Sequence, residues 1–190
     1  MSLAVGAMFP VDVAVDSPSG SVRLADMLRA GPLVVAFHRL WCPFCQQAAR
    51  EMLAVKDQFD AMNAQVVIVY SEPVDFVSRA CDRRGIPFNC LSDTRHDLET
   101  AAQIERFSIG RYAAFSPRKL IRALRSGSDM GKATTGLLQG RATFVVDQNS
   151  RIVYAHKSVN AADIPPVAHV LAAVRTVADV GMTASDSERA

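Results

Sequence analysis

Hydrophobic positions along the chain change period several times, and the changes mark the elements. Leu33 to Phe37 (LVVAF) and Gln65 to Tyr70 (QVVIVY) are nearly continuous apolar runs of strand length, the pattern of strands covered on both faces. Before them, Val11 to Val15 alternates and predicts a short strand, Asp16 to Gly20 a turn, and Val22 to Ala30 a short helix closed by Gly31 and Pro32. From Gln46 to Asn63 the period lengthens: Met52, Val55, Phe59 and Met62 recur at helical spacing. Ser71-Glu72-Pro73 opens a further helix to about Arg84, Ile86 to Leu91 reads as a brief strand, and Ser92-Asp93 caps a helix to about Ile104. Arg141 to Asp147 and Arg151 to Ala155 predict a hairpin, and Asp163 to Ala178 a last amphipathic helix. The stretch from Phe107 to Gly140 is the least regular, with one short helix over Arg118 to Arg125. The order predicts an α/β fold with a mixed central sheet flanked by helices. A single domain over residues 1–178 and a disordered tail over 179–190 are expected.

Composition narrows the function classes. The chain has 190 residues, 49% hydrophobic and 21% charged, enough for a sizeable core. Its net charge of +2 arises from 21 basic and 19 acidic residues, which gives the molecule as a whole no reason to bind nucleic acid. No run approaches the ~18 apolar residues of a membrane span, and no basic-then-apolar leader is visible, so a cytoplasmic protein is expected. That compartment keeps thiols reduced and favours catalytic over structural cysteines.

The candidate chemistry lies between the first long strand and the following helix, in Trp41-Cys42-Pro43-Phe44-Cys45. A helix start offers unpaired N–H groups and about +0.5 charge, both of which stabilise a thiolate. Pro43 suits the first helical turn, and cysteines three apart there share one side, within reach of a disulfide. A half zinc site is the rival reading, but Cys81 and Cys90 are nine apart and offer no second pair at zinc spacing. A purely structural pair is the other alternative.

With these motifs in order, the chain resembles the thioredoxin fold. More closely it resembles the peroxiredoxin-like branch of the alkyl hydroperoxide reductase/thiol-specific antioxidant superfamily, which includes prostamide/prostaglandin F synthase-like proteins. Phe37 to Arg50, Pro87 to Asp93 (PFNCLSD), Phe144 to Ser158 and the helical insert Ser116 to Leu124 carry the likeness. The resemblance implies a three-layer thioredoxin-like fold with a helical insert near 108–136. It also implies a thiol oxidoreductase that cycles dithiol and disulfide without a cofactor. Expected partners are a peroxide or endoperoxide as oxidant, a thioredoxin-type protein or low-molecular-weight thiol as reductant, and a second copy as a homodimer. A disulfide reductase without peroxidase activity, and a redox-sensing or metal-binding module, stay open.

The site departs from each parent family. His38 and Cys42 stand where typical peroxiredoxins carry Pro and Thr, and Cys45 falls on their peroxidatic cysteine. In the thioredoxin register Cys42 is the attacking thiol, with Ala36 and Ala142 in place of that family's buried acid and cis-proline. Arg141 sits where peroxiredoxins carry an arginine against the thiolate. From the residues themselves, Cys42 is expected to be the more exposed thiol and the nucleophile, and Cys45 the resolving one; the reverse order follows the peroxiredoxin register. Arg39 or Arg141 is expected to stabilise the thiolate by charge. Trp41 is expected to shield the sulfurs, and His38 to be structural, with a general-base role as the alternative. Cys81 and Cys90 are expected to be buried, inert free thiols. The insert holds Arg111, Arg118, Lys119, Arg122, Arg125 and Lys132 against Asp129 alone, with Leu120, Ile121 and Leu124 expected to dock on the body.

Overall fold

The computed structural model describes residues 3–187 other than 115, 130 and 133–135. Strands β1 (Ala14–Ser17), β2 (Gly20–Arg23), β3 (Leu33–Phe37), β4 (Gln65–Tyr70), β5 (Asn89–Ser92), β6 (Ala142–Val146) and β7 (Ile152–Lys157) form a single mixed sheet in the order β2-β1-β5-β4-β3-β6-β7. The three strands β3, β4 and β5 run parallel, and β6, β7, β1 and β2 pair antiparallel outside them.

The apolar runs are explained by helices on both faces. Leu33, Val35, Phe37, Val67, Val69 and Phe144 point to one side, where Leu24 and Leu28 of α1 (Leu24–Leu28) and Leu98 of α5 (Asp97–Ala101) cover them. Val34, Ala36, Val66, Ile68 and Val145 point to the other. There they meet α2 (Pro43–Leu53), α3 (Lys56–Ala61), α4 (Val74–Arg83) and α8 (Val167–Ser187). Alternation of side chains along each strand thus builds two cores from one sheet.

Register decides what meets the Cys-x-x-Cys segment. Phe37, the last residue of β3, pairs with Ala142, the first of β6. Arg141 therefore enters the sheet beside the point where the chain leaves β3 for residues 38–45.

Several local expectations change. The residues after the Ser17–Gly20 turn pair back on β1 as β2, with Ser17 opposite Gly20, and only Leu24–Leu28 is helical. The single helix expected over residues 46–63 is two helices, with Val55 out of helical geometry at φ −120°, ψ 20°. Both bury the same face, so the apolar period runs on through the break. The insert holds a helix that was not expected, α6 (Ile109–Ala113), besides α7 (Pro117–Arg125). The last helix continues to Ser187, through residues expected to form a disordered tail; residues 188–190 lie outside the described ones. No helix among the described residues is long and apolar enough to cross a membrane.

Candidate active site

Cys42 is the N-cap of α2, Pro43 opens its first turn, and Cys45 sits one turn in. Both sulfurs are free thiols, and neither residue is appreciably exposed, at 1% for Cys42 and 2% for Cys45. The expectation that Cys42 is the more accessible thiol therefore fails. The insert is the cause: Ala123 and Leu120 of α7 pack with Trp41, Cys42 and Phe44. Polar bonds strap the insert to α2. Gln46 donates to the Asp129 carbonyl at 3.1 Å and accepts from the Asp129 N–H at 2.9 Å, while Ser128 Oγ donates to the Pro43 carbonyl at 2.8 Å. Arg50 reaches Ser126 and Ser128, and the Gly131 N–H donates to the Trp41 carbonyl.

Charge separates the two thiols. Burial alone would raise the Cys45 pKa, but a hydrogen bond from Cys42, the charge of Arg141, the neighbouring His38 ring and the Arg39 backbone N–H together hold it well below the ordinary thiol value. Cys42 is pushed well above that value by burial, by its hydrogen bond to Cys45 and by the charge on Cys45. With the Arg141 guanidinium 3.2 Å from its sulfur and Cys42 as donor, Cys45 is the thiol that these surroundings favour for ionisation, the reverse of the assignment that helix position alone suggests.

Arg141 Nε lies 3.2 Å from Cys45 Sγ. Trp41, Phe107 and Tyr112 surround its guanidinium, with ring centroids at 5.8, 5.6 and 5.9 Å. Its Nη1 and Nη2 are buried and meet no partner at full hydrogen-bond geometry among the described residues, with the Tyr112 hydroxyl as their polar neighbour. Despite that burial, the neighbouring cysteines tighten its hold on its proton. Of the two arginines singled out from sequence, Arg141 is thus at the sulfur. Tyr112 and Phe107 escaped notice because they fall in the irregular stretch, where no periodicity points to them.

Arg39 is elsewhere. Its buried guanidinium donates to Glu99 Oε1 at 2.5 Å, to the His38 carbonyl at 2.8 Å and to the Gly140 carbonyl at 3.2 Å. Glu99 also faces His96 Nδ1 at 2.7 Å. Arg39 touches Cys45 through its backbone N–H, while its side chain ties the segment before the cysteines to the residue before Arg141. His38 is buried edge-on to Tyr70, and burial lowers its pKa, opposed by Cys45 and reinforced by Arg141 and Arg39. Trp41 covers Arg141 and the sulfurs, as expected of a shield.

Two further expectations change. Cys81 and Cys90 are joined as a disulfide between α4 and β5, with Cα atoms 6.8 Å apart, rather than being inert free thiols. On α7 the docked face is Leu120 and Ala123, whereas Ile121 and Leu124 are exposed, Ile121 beside Arg118, Arg122 and Arg125. Cys42 and Cys45, expected to interconvert between dithiol and disulfide, are both in the thiol state.

A buried cysteine pair at a helix start, with an arginine from the residue before the adjoining strand 3.2 Å from one sulfur, defines a thiol oxidoreductase of the thioredoxin-like class. The chain belongs to the AhpC/TSA family, whose model matches residues 5–155. Peroxidoxin BcpB from Mycobacterium tuberculosis superposes with a TM-score of 0.67 at 19% identity, over 92% of this chain and 98% of that one. A cysteine-to-serine mutant of PrxQ from Xylella fastidiosa gives 0.68 at 19% identity, over 93% and 98%. A putative thiol:disulfide interchange protein DsbE from Chlorobium tepidum gives 0.62 at 17% identity, over 91% and 99%. No curated protein matches the chain in sequence. The fold is the thioredoxin-like fold of peroxiredoxins.

Proposed function

We propose that the protein is a thiol-dependent peroxidase in which Cys45 attacks the peroxide and Cys42 resolves the product. The observation that carries this assignment is the 3.2 Å contact between Arg141 Nε and Cys45 Sγ, with Nη1 and Nη2 facing the Tyr112 hydroxyl and no other polar group at full hydrogen-bond geometry among the described residues. Nε holds the thiolate, and Nη1 and Nη2 are available to donate to the peroxide oxygens. Those bonds strengthen as charge builds on the leaving alkoxide, which is the basis of transition-state stabilisation. Attack transfers one oxygen to Cys45 as sulfenic acid and releases the alcohol or water. The Cys42 thiol then condenses with the sulfenic acid, expelling water and forming the Cys42–Cys45 disulfide. A thiol donor returns both to the reduced state, a cycle suited to the cytoplasm, where such donors are abundant. Tyr112, Phe107 and Trp41 keep water from the guanidinium and fix its plane.

A thiol–disulfide reductase is the second reading, favoured by the hydrogen-bonded sulfur pair at a helix start. Hydrogen peroxide treatment of the single variants in the presence of dimedone, followed by peptide mass mapping, separates them. Cys42→Ser is expected to carry the dimedone adduct on Cys45. Cys45→Ser is expected to lose peroxide consumption and to leave Cys42 unmodified. An adduct on Cys42 in Cys45→Ser would reverse the order of attack, and no adduct in either variant would favour the reductase.

A further inference from the structure

A cavity of about 300 Å³ opens on Cys45 from the side of α2 and α4, with Arg50, Arg83, Arg84, Ile86, Tyr70 and Asp129 among its walls. Neither Cys42 nor Arg141 lines it. The guanidiniums of Arg50, Arg83 and Arg84 form no salt bridge among the described residues. Arg84 donates to the Leu40 carbonyl at 2.9 Å, and Arg50 to the serines of the insert. Burial, and then the charge of Arg84, weaken the hold of Arg50 on its proton, a sign that the two repel. Besides Arg39, which is already paired with Glu99, three cations face one carboxylate around a space at the lower end of the size range of ligand sites. The Cys81–Cys90 disulfide pins the segment that bears Arg83, Arg84 and Ile86.

We infer that this cavity binds the reductant of the cycle proposed above, a small thiol bearing carboxylates. Access and charge lead to the same class. With both sulfurs nearly fully buried, the active-site loop of a protein donor has no exposed sulfur to meet, whereas a small thiol reaches Cys45 through the cavity. Carboxylates match guanidinium forks and supply the missing counter-charge. The peroxide needs Nη1 and Nη2 of Arg141, which do not face this space. In the reduction step the thiolate of the bound donor attacks Cys45 Sγ. The Cys42–Cys45 bond breaks, its electron pair leaves on Cys42 Sγ and takes up a proton, and a mixed disulfide remains on Cys45. A second donor thiolate attacks the donor sulfur, releases the oxidised donor as its symmetrical disulfide and restores the Cys45 thiolate.

Calorimetry with S-methylglutathione, an anionic probe without a free thiol, tests the site whatever the peroxide chemistry. Saturable binding is expected, with S-methylcysteamine, a cation, failing to bind. Arg84→Gln is expected to weaken binding by about tenfold, the worth of one charge-assisted hydrogen bond. Arg83→Gln is expected to act in the same direction and covers the case in which Arg84→Gln misfolds. In turnover with tert-butyl hydroperoxide, glutathione should outpace 2-mercaptoethanol and cysteamine at low salt, and both the advantage and its loss in Arg83→Gln should fade at high salt. Equal binding of the anionic and cationic probes, or none of either, overturns the inference. Stopped-flow oxidation followed by the fluorescence of Trp41, the sole tryptophan, reports the peroxidase reading separately. Its failure alongside probe binding would leave the anionic site in place and remove only its part in the cycle.

Discussion

Replacing Arg39 separates a structural ion pair from a catalytic charge. The guanidinium and Glu99 meet at 2.5 Å with 1% and 2% of their side chains exposed. At an effective dielectric of about 20, their attraction is roughly 7 kcal/mol, similar to the several kcal/mol that each ion loses on leaving water. The pair as a unit is therefore near balance, but either member alone is a buried, uncompensated charge. Arg39→Met should cost about 3–5 kcal/mol and lower the melting temperature by roughly 6–20 °C in a chain of this size. Glu99→Met should do the same from the other side. In the double variant Arg39→Met/Glu99→Met no charge is stranded, so it should be no less stable than either single variant. The bonds of Arg39 to the His38 and Gly140 carbonyls, and those of Glu99 with His96 and Ser71, stay lost. Urea denaturation of all four proteins at pH 7 closes the cycle. Losses that simply add in the double variant would refute a coupled buried pair and return Arg39 to an independent role at the thiolate.

Three other predictions follow from the same geometry. Arg141→Gln removes a charge that lowers the Cys45 pKa, so that pKa should rise and the pH profile of Cys45 alkylation by iodoacetamide should move to higher pH, with a slower rate at pH 7; an unmoved profile would contradict the 3.2 Å contact. Cys81→Ser should cost about 3 kcal/mol, the entropy of closing a ten-residue loop, and the reductant-dependent drop in wild-type melting temperature should match it; no difference would mean that the pair is reduced in solution. Gly140→Ala should destabilise by about 1–3 kcal/mol in a thermal melt, because its Cβ would stand 2.0 Å from the Glu105 carbonyl oxygen, and melting like wild type would refute that crowding.

The sequence alone determined the double-covered strands, the helix that starts at the cysteines and the chemical character of the pair. These depend on residues within a few positions of each other, where periodicity, Pro43 and cysteine spacing act directly. Arg141 was legible only through resemblance, since it lies 96 positions from Cys45 and is brought there by the pairing of Phe37 with Ala142. Which thiol the surroundings favour for ionisation depends on the tertiary structure. Helix position favours Cys42, but α7 buries it, and Arg141, His38 and the Arg39 N–H act on Cys45. The Cys81–Cys90 bond likewise depends on how α4 lies against β5. The basic cavity joins α2, α4 and the insert, three segments with no shared period, so its charge becomes visible only where they meet around Cys45.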